Sequence, residues 1–130
     1  MLPTLAPTIK MTRSDAQKLM SVAKANLRGT PELTSFLIGE IGRAILVGAN
    51  ETDDLVTMNS HVEFYYDFTD QVRKIQLVYP TQVDIRKDKI SVLTPIGAAL
   101  IGLSKGQSIE WRTATGAKRS LTVLDINGGN

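Results

Sequence analysis

The sequence predicts an α+β fold, a short antiparallel helical hairpin followed by a twisted antiparallel sheet with one short helix. Three observations predict it. Apolar residues recur at spacings of three and four over the first fifty positions, the signature of amphipathic helices. Beyond a polar stretch at residues 49–54 the apolar period changes to two, the signature of strands half-covered by a core. The strongest break in the helical half, Arg28-Gly29-Thr30-Pro31, divides it into two short segments joined by a tight turn. The expected organisation is residues 1–50 as an N-terminal arm and hairpin, and residues 51–130 as the sheet domain.

Pro3 and Pro7 make the first ten residues a poor helix, so they are expected to form an extended or loose arm. Ser14 followed by Gln17 is a capping-box pattern, which places the start of the first helix at Ser14. Ala16, Leu19, Met20, Ala23 and Leu27 form its apolar stripe, with Lys18, Lys24 and Arg28 outside it. Gly29 suits the stop, Thr30 a new cap and Pro31 the first helical position. Leu33, Phe36, Leu37, Ile41, Ala44 and Ile45 then form a second stripe that ends near Gly48.

In the second half, residues 61–68 place Val62, Phe64, Tyr66 and Phe68 on one face. After a turn at Thr69 and Asp70, residues 73–79 send Ile75, Leu77 and Tyr79 to one side, which completes a hairpin. Residues 89–93 are a further short strand. Thr94 and Pro95 open a brief helix that runs to about Ile101 and is closed by Gly102. Residues 108–112 and 120–124 are expected to pair across the turn at Gly116.

Composition narrows the chemistry. The chain of 130 residues has no cysteine and one histidine, which removes thiol nucleophiles and thiolate metal sites and leaves little for zinc or iron. No apolar run is long enough to span a bilayer, and the first residues lack a basic stretch followed by an apolar core, so a cytoplasmic protein is expected. Residues 1–50 carry Lys10, Arg13, Lys18, Lys24, Arg28 and Arg43 against Asp15, Glu32 and Glu40, a mild excess of positive charge. That permits contact with an anionic partner, while direct nucleic-acid binding is expected to be weak or absent. His61 reads as an ordinary strand residue, Asp53 and Asp54 as solvated linker acids, and Trp111 as core. Gly97, Gly102 and Gly106 surround the short helix without the Lys-Ser/Thr ending of a phosphate loop, so they read as packing and turn positions. No spacing assembles a catalytic or metal site. A protein that works by binding, without enzymatic activity or cofactor, is expected.

Residues 94–106, Thr-Pro-Ile-Gly-Ala-Ala-Leu-Ile-Gly-Leu-Ser-Lys-Gly, resemble a segment of the bacterial Gre transcript-cleavage factors. Residues 55–62, Leu-Val-Thr-Met-Asn-Ser-His-Val, and 77–80, Leu-Val-Tyr-Pro, resemble more closely the Rnk-type regulators of nucleoside diphosphate kinase, short Gre relatives with a truncated hairpin. Gln107 departs from the Gre pattern, which has Asp after the glycine.

The resemblance implies an FKBP-like fold for the sheet domain and docking on RNA polymerase near the secondary channel. It makes Met58, Asn59, Ser60, Thr94, Pro95, Ile96, Gly97 and Lys105 the candidate partner-binding residues, and Arg28, Thr30 and Glu32 the hairpin tip. In Gre factors a long coiled coil carries two acidic tip residues that help hold the catalytic Mg²⁺. Here helices over residues 14–27 and 31–47 would be only about 20 and 25 Å long, and the turn offers one carboxylate, Glu32. The expectation is a polymerase-binding regulator that competes with Gre-type factors without stimulating cleavage. The alternative is a regulator acting on nucleoside diphosphate kinase or its expression. Prolyl isomerisation, suggested by fold analogy alone, fits poorly with an aromatic content of 5%.

Overall fold

Thr12, with extended backbone at φ −72° and ψ 155°, caps helix α1 (Arg13–Ala25), its hydroxyl accepting from the Asp15 amide at 3.1 Å. The cap expected at Ser14 therefore lies two residues upstream, and Ser14 is exposed inside the first turn. The reason is the short strand β2 (Lys10–Thr12), which delivers extended chain directly to the helix. Because α1 ends at Ala25, Leu27 falls outside its stripe and is 43% exposed. The computed structural model describes residues 1–128.

Helix α2 (Pro31–Arg43) begins at the expected proline. It stops four residues before the predicted end, because Ala44 turns extended (φ −66°, ψ 141°) and leads into β3 (Ile45–Val47). Ile45, Leu46 and Val47 are a consecutive apolar run suited to strand, and they pair in parallel with β2, Lys10 opposite Ile45 and Thr12 opposite Val47.

Of the two conformations expected for the arm, the extended one is found: β1 (Leu2–Leu5) pairs antiparallel with β7 (Ser108–Arg112), Pro3 opposite Trp111. As an edge strand it tolerates a proline that cannot donate to a ladder.

Six strands form the main sheet in the order β1-β7-β8-β4-β5-β6, with β4 at His61–Tyr66, β5 at Gln71–Val78, β6 at Lys89–Ser91 and β8 at Lys118–Asn127. The expected antiparallel pairing holds for four of its five neighbour pairs, whereas β5 and β6 run parallel, Gln76 opposite Lys89. Their crossover is built from two 3₁₀ turns, Pro80–Gln82 and Ile85–Lys87. Strand β4 stops at Tyr66, so Phe68 leaves the sheet and is 62% exposed beneath the Arg119 guanidinium, 3.8 Å from its ring centre. Strand β8 runs beyond the predicted 120–124 because β4 supplies partners as far as His61 opposite Asn127.

Helix α3 (Pro95–Leu100) is capped by Thr94, whose hydroxyl accepts from the Gly97 amide at 3.0 Å. Gly102 closes it at φ +83°, where a side chain would also press on Ile9. One core serves the helices and the main sheet. Leu19 and Ala23 from α1, and Leu37 from α2, are buried in the same cluster as Phe64, Leu77, Trp111 and Leu121 from the sheet and Ala98 to Leu100 from α3. Tyr66 stacks on Trp111 with ring centres 6.4 Å apart, which fixes Trp111 as a core residue.

Candidate partner-docking surface

Residues 57–60 form a closed turn at the entry to β4. The Ser60 hydroxyl accepts from the Thr57 amide at 2.9 Å and meets the Thr57 hydroxyl at 2.8 Å. Asn59 adopts φ +69°, a conformation that Asn tolerates better than most residues. Its amide donates to the Leu77 carbonyl, and the Leu77 amide donates to the Ser60 carbonyl, so the turn hangs on the end of β5.

The same turn fastens the first helix. Asp15, 1% exposed, accepts from the Met58 amide at 3.0 Å across 43 residues of chain. Sequence reasoning missed this role. The signal was present: Asp15, Leu19 and Ala23 are spaced by four, which puts the carboxylate on the buried face of α1.

Met58 and Ser60 are themselves fully buried, so their side chains cannot touch a partner; they hold α1 and β4 to the end of β5. The second candidate segment lies on the other side of that strand end, where the Val92 amide donates to the Val78 carbonyl. The Thr94 hydroxyl donates to the Ser91 carbonyl at 2.7 Å, and the Leu93 amide donates to the Ser91 hydroxyl at 2.9 Å. Pro95 is exposed, Thr94 and Ile96 are half-buried, and Gly97 is buried against β6. A Cβ on Gly97 would stand 2.2 Å from the Ser91 carbonyl oxygen, so only glycine lets α3 approach this closely.

Residue 56 joins the two segments: the Val56 amide donates to the Leu103 carbonyl, and the Gly102 amide donates to the Val56 carbonyl. Lys105 is held next to them by its amide, which donates to the Asp54 carbonyl at 2.7 Å, and its ammonium lies 3.5 Å from Asp125. The carboxamide of Gln107 accepts from the Ser104 amide and donates to the Thr8 carbonyl. An aspartate there could not make the second bond, so the glutamine ties the arm to this end of the sheet.

The hairpin tip lies elsewhere. Arg28, Thr30 and Glu32 are exposed, and Glu32 lines a cavity of about 800 Å³ together with Arg112 at the end of β7 and Thr113 and Ala114 of the turn after it. His61 is exposed at the start of β4, and Asp53 and Asp54 are exposed in the linker. Among the described residues no group of three or more His, Asp or Glu side chains is placed to hold a metal ion, and no helix is long and apolar enough to cross a membrane.

Tyr79, just after β5, is the unsatisfied group of this region. Its hydroxyl is buried with no hydrogen-bond partner among the described residues. Burial, with a smaller contribution from the Asp15 charge, pushes it up to about 12. The raised value means that folding favours the neutral phenol. This contribution is therefore intact below pH ~10, where an unfolded tyrosine is neutral, and is lost as pH rises towards about 12. Replacing Tyr79 by Phe should leave the fold as stable or up to about 1 kcal/mol more stable at neutral pH, because an unpaired buried hydroxyl is removed. Its advantage should widen on going to alkaline pH, as read from urea midpoints on either side of the window.

A helix pair fastened by a buried carboxylate to a sheet, with a buttressed loop and helix at one sheet end, defines a small α+β protein whose candidate site is a surface. Residues 51–128 match the family described as transcription elongation factor, GreA/GreB, C-term, and the chain belongs to that family. It is 34% identical over 121 residues to the regulator of nucleoside diphosphate kinase of Escherichia coli, covering 92% of this chain and 89% of the relative. It is 31% identical over 88 residues to the transcription elongation factor GreA of Azorhizobium caulinodans, covering 67% of this chain but only 55% of that protein. Among solved structures, the prokaryotic transcription elongation factor GreA/GreB from Nitrosomonas europaea superposes with a TM-score of 0.72 at 31% identity, covering 93% of this chain and 100% of that one.

Proposed function

We propose that this protein is a non-enzymatic regulator of transcription. It docks on RNA polymerase near the secondary channel and competes there with Gre-type factors without stimulating transcript cleavage. The observation that carries the reading is the size of the helix pair. Each helix has 13 residues, which at 1.5 Å per residue is about 20 Å. The tip presents Glu32 as its carboxylate, and Glu32 sits in the first turn of α2, where it complements the helix N-terminus. A single acid on a short pair neither reaches nor holds a hard cation that needs several charged oxygens.

In this reading the chain divides in function near residue 50. Residues 51–130 form an FKBP-like docking domain, and residues 1–50 an arm with an antiparallel hairpin too short to deliver chemistry. Pro95, with Thr94, Ile96 and Lys105, forms the contact surface, while Met58, Asn59, Ser60 and Gly97 hold it in shape. Core polymerase immobilised on beads should retain the protein, and a Gre factor should displace it. Backtracked complexes should show no shortened RNA when it is added. No retention, or retention without competition, overturns the docking reading, and shortened RNA overturns the rest.

A second reading is favoured by the end-to-end similarity to the regulator of nucleoside diphosphate kinase. Here the kinase, or its expression, is the target. Co-purification with the kinase but not with polymerase would decide for it.

A further inference from the structure

One face of α1 is covered by neither the core nor another element. Lys18, Ser21, Val22, Ala25 and Asn26, at spacings of three, four, seven and eight, form one wall of a groove of about 680 Å³. The opposite wall is the segment from Tyr79 to Gln82 after β5. That segment continues into Val83 and Ile85, which are 45% and 80% exposed. Ile85 is held outward by a bonded turn. The Asp84 carboxylate accepts from the Arg86 amide, the Asp84 and Lys89 backbones exchange two hydrogen bonds, and the Asp88 amide donates to the Ile85 carbonyl.

The charge around the groove is mainly positive, with Asp88 the exposed acid on the turn beyond Val83. Lys18 is the charged residue in its walls, and Arg13, Lys24, Arg28 and Arg86 are exposed on the elements that frame it. Among the described residues none of these five has an ion-pair partner. The acid of α1, Asp15, is buried facing Met58, and the Asp84 carboxylate is occupied by its turn.

We infer that this groove docks an acidic amphipathic segment of a partner protein. Apolar side chains of that segment sit on Val22, Ala25 and Pro80, and its carboxylates face the cations of α1. Electrostatic complementarity of this kind steers encounter and selects partners by charge. A nucleic-acid strand fits less well, because its phosphates need cations along a track, whereas these walls are mainly apolar with one lysine between them. The groove is distinct from the surface formed by Thr94 to Lys105, and its test uses no polymerase, so it stands or falls separately from the docking reading above.

The test is fluorescence anisotropy with the full chain and a labelled helical peptide carrying Leu on one face and Glu on the other. The comparators are the same peptide with Lys for Glu and a single-stranded oligouridine. The acidic peptide should bind saturably, with amide shifts at Ser21, Val22, Ala25 and Thr81 in heteronuclear spectra. Lys18→Glu and Ala25→Glu, both at exposed positions, should weaken it about tenfold or more with unchanged melting curves. Lys74→Glu, on the outer face of β5, should not. Absence of saturation, equal affinity for the Lys peptide, shifts centred elsewhere, or tighter binding of the RNA each overturns the inference.

Discussion

Gly97→Ala is expected to destabilise the protein by about 3 kcal/mol, at the upper end of overpacking costs, and to lower its melting temperature by roughly 12 °C. The added methyl group would stand 2.2 Å from the Ser91 carbonyl oxygen and 2.9 Å from the Val92 Cα, both backbone atoms with no rotamer to escape into. Relief requires α3 to move off β6, and the Thr94 cap moves with it, since the cap is bonded both to the Gly97 amide and to the Ser91 carbonyl. The loss should therefore appear as a lower unfolding midpoint and, under the docking role proposed above, also as weaker polymerase retention by the protein that remains folded. A melting temperature within about 3 °C of the parent would show that α3 does not pack as described.

Asp15→Ala is expected to cost about 2 to 3 kcal/mol, the range for losing a buried hydrogen bond to a charged acceptor. The Met58 amide would be left unpaired in the core, and α1 would lose a bond that ties it to the turn before β4. Hydrogen exchange separates this from general damage. Protection should fall most along α1 and in the turn at residues 57–60, and least in the β7–β8 pair, which shares no hydrogen bond with Asp15 among the bonds described. A uniform fall in protection would contradict a local fastening role.

Both effects bear on how much could be read before the fold was known. The two helices, the β4–β5 and β7–β8 hairpins and the short helix after Thr94 were legible, because each is encoded by local periodicity and by breakers such as Gly29, Pro31, Pro95 and Gly102. The motif segments were legible as well, in that Leu-Val-Thr-Met-Asn-Ser and Thr-Pro-Ile-Gly point to the family to which the chain belongs. The roles within them were not. Met58 and Ser60 read as contact residues and prove to be buried, because burial depends on what packs over a turn, and here that is α1, more than forty residues earlier in the chain.

The misplaced boundaries have one cause. The arm became β1 and β2, and the end of the second helix became β3, since strands at an edge are selected by distant partners, Trp111 for Pro3 and Met11 for Leu46. Local pattern cannot supply a partner that far away. By itself, then, the sequence determined the α+β class, the order of its helices and of the strands from β4 onward, the short reach of the helix pair and the single acid at its tip. Tertiary structure alone decided that α1 and α2 share the core of the sheet, that Asp15 fastens α1, and that one face of α1 remains uncovered. Periodicity reports which face of an element is apolar, whereas the partner of that face, and of each unpaired amide, is settled only when the chain folds back on itself.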